Sequence, residues 1–381
     1  MRVLQVLDEW LPLTQNWLAS AFRNLPSTVS STVVCRRLVG DAAPPPGGLV
    51  HVPSLASGVL GRVVDVALPG LEPGRLARRL PAEAPDVLHA HFGAAGWDAR
   101  SAARLLGRPF LVSFYGLDVD ALPRGSRRWR HRYRRIFDEA ALVLALGPWM
   151  ADRLAVHGAD PSRIVVHHLG VPVSDLAFRP RRWDGVRPLR VLIASSFREK
   201  KGIPVAIEAL ARIRQQVPLE ITLVGDASTY GPEQREKARI VDAIEREGMA
   251  DAVRHRGYVP HADLLRLALD HDLLVAASLT AADGDSEGTP MALVELAATG
   301  IIVVTTRHAD IPEIVADEAT GFLAEPADRV SLTAALERAT GAADRWPTIG
   351  AAARAHMTDE FDSATQGRRL AAIYDRVARP G

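Results

Sequence analysis

The 381 residues are 48% hydrophobic and 24% charged with a formal net charge of +1, which excludes a disordered chain and suits two globular domains. No apolar run reaches the ~18 residues a membrane span needs, and Cys35, the only cysteine, allows neither an intrachain disulfide nor a thiolate metal cluster. The opening Met1-Arg2-Val3-Leu4-Gln5-Val6-Leu7 reads as a first strand and not as a secretory signal, so a cytoplasmic chain is expected, at most peripheral to the inner face of a membrane.

Short apolar, β-branched runs alternate with longer helix-like stretches, the pattern of βαβ units and parallel sheets. In the first half the strand-like runs are 3–7, 32–35, 87–90, 110–114, 142–146 and 164–167. A polar stretch containing Pro180, Trp183 and Gly185 follows, and the rhythm restarts at 189–194, 219–224, 253–256, 273–276 and 301–305. The expected organisation is an α/β domain over 1–175, a linker over 176–187 and a second α/β domain over 188–360. A C-terminal helix over 361–381 is placed to cross back to the first domain.

Charge is uneven. Residues 1–180 hold 21 arginines against 15 acids, whereas 181–381 hold 25 cations against 30 acids. Arg124, Arg127, Arg128, Arg130, Arg132, Arg134 and Arg135, with His131, form a basic run. It reads either as a solvated helix face or as a surface for an anionic membrane or lipid-phosphate acceptor. Nucleic acid is disfavoured, because zinc spacings and serial stacking aromatics are missing.

Two segments carry chemistry. In Glu287-Gly288-Thr289-Pro290-Met291-Ala292-Leu293-Val294-Glu295, Thr289 suits an N-cap and Pro290 the first helical position. That places Glu287 before a helix N-terminus, where amides and dipole favour a diphosphate, and Glu295 in its second turn. An ordinary capped helix with two surface acids is the bland alternative. Ser195-Ser196-Phe197-Arg198-Glu199-Lys200-Lys201-Gly202 follows a strand, where an open α/β sheet binds anions. Lys200 and Lys201 stand out because the chain has only one other lysine, Lys237.

Together with Asp86-Val87-Leu88-His89-Ala90-His91-Phe92-Gly93, Phe114-Tyr115-Gly116-Leu117-Asp118-Val119 and His308-Ala309-Asp310-Ile311-Pro312-Glu313, these segments resemble glycosyltransferase family 4 over nearly the whole chain. The resemblance implies a GT-B fold of two Rossmann-like domains facing across a cleft. It also implies retaining, metal-independent sugar transfer from a nucleotide-diphosphate sugar such as a UDP or GDP sugar, with no other cofactor and no metal site. The acceptor it implies is a glycan, a lipid-linked sugar or a small molecule, in polysaccharide or glycolipid synthesis. By position, Glu287 matches the glutamate at the donor sugar, Glu295 the one that binds ribose, and Lys201 the lysine on the diphosphate, with Gly288 and Thr289 where amides approach it. His91 and Asp118 match the catalytic segments of the first half.

Three positions depart from the family pattern. Tyr115 stands where the family often has histidine, and its phenol can still hydrogen-bond a hydroxyl of the acceptor or donor sugar. Ser195-Ser196 replaces Gly-Arg, leaving Arg198 as the candidate phosphate arginine. Pro12-Leu13-Thr14-Gln15-Asn16-Trp17 replaces the glycine-rich first loop, with Thr14 or Asn16 placed to reach the acceptor. His89 and His91 are read as facing opposite sides of a strand, hence as poor co-ligands for one metal ion, and Asp283 and Asp285 as loop acids. Other readings stay open: an epimerase or phosphorylase of the same fold, or an inactive sugar-binding module.

Overall fold

The computed structural model describes residues 1–10, 16–38, 47–51 and 84–379. They form two compact units, Met1–Gly170 with Ser363–Gly381 and Val171–Asp362.

The first unit is built on a seven-stranded sheet of order β3-β2-β1-β4-β5-β6-β7. Its strands are β1 (Arg2–Trp10), β2 (Ser30–Leu38), β3 (Leu49–His51), β4 (Val87–His91), β5 (Phe110–Ser113), β6 (Leu142–Ala145) and β7 (Ile164–Val166). All pair in parallel. The helices are α1 (Asn16–Arg23), α2 (Phe92–Leu106), α3 (Leu117–Gly125), α4 (Arg127–Glu139) and α5 (Pro148–Val156). β4, β5 and β6 are buried along their whole length, which is why their sequences are continuous apolar runs and not alternating ones.

The second unit has a six-stranded parallel sheet of order β10-β9-β8-β11-β12-β13. Its strands are β8 (Leu189–Ala194), β9 (Leu219–Val224), β10 (Val253–His255), β11 (Leu273–Ala276), β12 (Ile302–Thr306) and β13 (Phe322–Ala324). Its helices are α6 (Ile203–Ile213), α7 (Gly231–Arg246), α8 (His261–Asp270), α9 (Met291–Ala297), α10 (Ile311–Ile314), α11 (Arg329–Gly341) and α12 (Trp346–Phe361). Alternation sends Val191, Ile193, Val275 and Val304 into one apolar core under α6 and α11, and Leu192, Leu274 and Val303 into another under α9 and α12. The last helix, α13 (Ser363–Ala378), belongs to the first unit, where Leu370, Tyr374 and Val377 pack on Val3, Val87 and Leu111.

The stretch 176–187, expected as a linker, is built into the second unit. Leu176 is buried, and the buried Arg181 guanidinium donates to the carbonyls of His271 (2.7 Å) and Ala268 (2.6 Å). Trp183 also stacks on Trp346 at 5.9 Å and Arg187 pairs with buried Asp272; polar and proline-containing sequence conceals this packing because the anchors are isolated side chains without a periodic pattern.

Candidate active site

Strand order reverses beside β8, whose neighbours are β9 and β11. Crevices at the carboxyl ends of such strands are where open α/β sheets bind ligands. The loops leaving β8 and β11 carry Arg198–Lys201 and Ser278–Glu287. They are tied together by Leu279 N–H, which donates to the Lys200 carbonyl at 2.9 Å. Gly202, at φ +60°, closes the first loop; a Cβ there would fall 1.9 Å from the Ala277 carbonyl oxygen, so only glycine fits.

Within these loops Lys201 Nζ lies 2.5 Å from Glu287 Oε1, and Lys200 Nζ 3.6 Å from Oε2. Lys200 also contacts Asp285 Oδ1 at 3.1 Å and donates to the Ser286 carbonyl at 3.0 Å, while Arg198 pairs with Asp285 Oδ2 at 2.6 Å. Glu287 is only 4% exposed. Burial by itself would raise its pKa, but Lys201 and Lys200 overcome that and hold the carboxyl at about 2. Its main-chain N–H donates to His308 Nε2 at 3.3 Å, and burial holds that imidazole below its ordinary pKa. Three cations therefore face two buried carboxylates, leaving a positive surplus suited to an anionic ligand.

Gly288 is buried beside Glu287, and Thr289 is half-buried. Thr289 is not the cap that the sequence suggests. Pro290 occupies the N-cap without a side-chain cap bond, and the helix begins at Met291. Glu295 does lie in its second turn, with Oε2 3.1 Å from His261 Nε2. Asp283 accepts the Asp285 N–H at 2.8 Å. Among the described residues no group of three or more His, Cys, Asp or Glu is disposed to hold a metal ion.

The first unit brings a second group together at the ends of β4 and β5. His91 Nε2 lies 2.8 Å from Gln5 Oε1, and Nδ1 lies 2.6 Å from the Tyr115 hydroxyl. Gln5 in turn donates to Ser31 Oγ and the Tyr374 hydroxyl. Burial pulls His91 down to about 3, so it is neutral. Its ring is 4.1 Å from that of His89, which corrects the opposite-face reading, because alternation along a strand puts residues two apart on the same side. Asp118 is buried and accepts main-chain N–H groups from Gly93 and Tyr115, both at 3.0 Å. Burial raises its pKa to about 6 against the pull of those amides. Thr14 lies outside the described residues. Asn16 opens α1.

Residues 18–175 match the profile described as Glycosyltransferase Family 4, and residues 184–344 match Glycosyl transferases group 1. The amylovoran biosynthesis glycosyltransferase of Erwinia amylovora is 35% identical over 306 residues, 77% of this chain and 71% of that one. The chain belongs to glycosyltransferase family 4. It is a glycosyltransferase. A second relative, the putative colanic acid biosynthesis glycosyltransferase of Salmonella typhimurium, is 31% identical over 77% of this chain and 71% of its own. Among solved structures, Anabaena HepE in complex with UDP and glucose superposes with TM-score 0.77 at 20% identity, covering 98% of this chain and 99% of that one. Sucrose-phosphate synthase from Thermosynechococcus elongatus also gives 0.77, at 16% identity and 98% of each chain. At these identities the likeness establishes the fold, two Rossmann-like domains of the GT-B kind.

Within the family frame, the structure brings Arg198, Lys201, Glu287 and Gly288 together at one switch point and His91, Tyr115 and Asp118 together in the other unit. Three participants went unnoticed in the sequence: Gln5, His261 and Ser278, whose Oγ lies 3.5 Å from Glu287 Oε1. Gln5 left a signal, a lone amide inside the apolar run Val3-Leu4-Gln5-Val6-Leu7.

Proposed function

We propose that this glycosyltransferase transfers a sugar from a nucleoside-diphosphate donor to a hydroxyl of a growing envelope glycan or exopolysaccharide. The observation that carries the reading is the Lys201–Glu287 pair at the switch point of the second unit. It puts a carboxylate held at about 2, and so ionised at neutral pH, beside a cluster with cations in excess. Arg198 and Lys201 would hold the diphosphate and take up charge as it leaves. Glu287 would face the donor sugar and stabilise positive charge developing on its ring, and Glu295 would accept from ribose hydroxyls. The same cations would serve where other transferases use a divalent ion, so full activity in a chelator is expected. Release of nucleoside diphosphate from a panel of UDP and GDP sugars, dependent on added acceptor, tests the reading. Glu287→Gln should abolish release while leaving nucleoside diphosphate bound. Release without an acceptor requirement, or release spared by that substitution, would overturn it.

A peripheral membrane site is favoured by α4. Arg127, Arg128, Arg130, His131, Arg134 and Arg135 are exposed on it, while Tyr133, Ile136 and Phe137 anchor its other side. Among the described residues Arg127, Arg128, Arg134 and Arg135 have no acidic partner. No described helix is long and apolar enough to cross a membrane, so attachment would be electrostatic, each arginine adding ~1 kcal/mol near an anionic surface. Sedimentation with acidic but not neutral vesicles, falling with salt, is the expected result; equal sedimentation with both would remove the surface.

A further inference from the structure

Three half-buried aromatic rings gather at the carboxyl end of the first unit's sheet: Trp17 on α1, Phe92 at the start of α2 and Tyr115 after β5. Tyr115 lies 4.6 Å from Trp17 and 4.7 Å from Phe92, centroid to centroid, at interplanar angles of 49° and 54°. Tyr115 does not present its hydroxyl. Gln5 Oε1 can only accept, so His91 Nε2 carries the proton, Nδ1 is the acceptor, and the phenol donates into the protein. One face of its ring is stacked on His91 at 5.9 Å and 13°, so the half-buried Tyr115 can meet a ligand only through what remains of its ring, beside Trp17 and Phe92.

The rings are also held. One carboxylate, Asp118, accepts from Gly93 and Tyr115 and so joins the two segments that carry Phe92 and Tyr115. Phe92 sits at φ +73°, a conformation that a bulky residue adopts only when its surroundings enforce it. Beneath Trp17, Leu18 and Phe22 pack into the core with Leu7 and Trp10. Among the described residues the titratable side chains beside this cluster include His89 and His91, both neutral by burial, and Asp118, tied to the main chain. None of these groups is a cation that would hold a charged diphosphate, whereas the cationic cluster of the second unit supplies such partners.

We propose that Trp17, Phe92 and Tyr115 form a platform for the apolar face of a pyranose ring, the sugar unit of the acceptor glycan. The axial and equatorial C–H bonds on one side of such a ring match the negative face of an aromatic system, and rigid aromatics give contact area at low entropic cost. This rests on the transferase reading above and assigns its acceptor half.

Saturation-transfer NMR on the full chain, with methyl pyranosides of glucose, galactose and mannose as probes, tests it. At least one should receive saturation at the ring protons of a single face. The transfer should fall at least fivefold in Trp17→Leu and Tyr115→Ala and persist in Tyr115→Phe and Glu287→Gln. Nucleoside diphosphate binding, read in the same samples, confirms folding and should be unchanged. No transfer in the unsubstituted protein overturns the platform, as does equal loss in Tyr115→Phe and Tyr115→Ala. Loss in Glu287→Gln would move the sugar to the donor site. Saturation of uridine abolished by Trp17→Leu would make the rings a base-stacking surface. The acceptor-dependent release assay reports on the transferase reading separately.

Discussion

Replacing Lys201 by methionine keeps most of the side-chain bulk and removes the charge 2.5 Å from Glu287. The Glu287 carboxyl is held at about 2 against an ordinary 4.5, and each pH unit of that difference corresponds to 1.36 kcal/mol. Net of the cost of burial, ionisation of this carboxyl therefore favours the folded state by about 3 kcal/mol above pH 4.5, with the two lysines as the main source. Lys200 at 3.6 Å retains part of this in the variant, so the expected loss is about 2 kcal/mol at pH 7. The sign follows from the depressed carboxyl: the stabilisation is present above 4.5 and disappears as pH falls toward 2. The difference between variant and parent should thus shrink on acidification. Hydrogen exchange of the β8 and β11 amides, with and without urea, reads the second unit specifically. The double variant Lys201→Met/Glu287→Gln should lose less than the two single variants summed, because it leaves no uncompensated buried charge. A loss below about 0.5 kcal/mol that does not vary with pH, or strict additivity in the double variant, would refute the assignment of this pair.

Gly202→Ala forces a Cβ against the Ala277 carbonyl oxygen at positive φ; it should lower the unfolding midpoint of the second unit and abolish donor-dependent release, both measurable on one preparation. Asp118→Asn sets an amide NH2 against a main-chain donor and should cost ~1–3 kcal/mol in urea unfolding. Asp118 has its pKa raised from 3.8 to about 6, so its stabilising contribution is complete below about 4 and is lost as pH rises through about 6. That slope should flatten in the asparagine variant. Glu295→Gln should raise the donor KM several-fold with kcat nearly unchanged, the signature of binding lost equally in ground and transition states; a fall in kcat alone would place Glu295 at the chemistry.

Hydrophobic runs located the central strands well. Those at 189–194, 219–224 and 273–276 coincide with β8, β9 and β11, because strands covered on both faces are mostly apolar, with charge only at exposed positions such as Arg190 and Glu220. β3 and β13 escaped, whereas the equally short edge strands β7 and β10 did not, so at three residues the pattern alone does not decide. The motif at Glu287 was legible since its chemistry is local to one loop. The cap was not, because Pro290 fixes φ by its ring and needs no hydroxyl from Thr289. Least legible was the network behind Tyr115. It joins Gln5, Ser31, His91 and Tyr374, up to 369 positions apart, and no spacing rule links residues that only the sheet and α13 bring together. The substitution at Tyr115 suggested a phenol hydrogen-bonding to sugar, but the buried acceptor on His91 claims that proton.

The contribution of α13 to the first unit sets an order of events during synthesis. Residues 171–362 leave the ribosome as one continuous segment holding every strand of the second sheet, so that unit can fold while translation continues. The first unit starts earlier and finishes later. Until Leu370, Tyr374 and Val377 emerge, the face formed by Val3, Val87 and Leu111 lacks its cover, and His89 lacks the phenol 2.7 Å from its Nδ1. The nascent half thus waits with apolar surface open through nearly two hundred further residues, a window in which chaperones have most to bind and in which loss of the final helix would be felt at the opposite end of the chain.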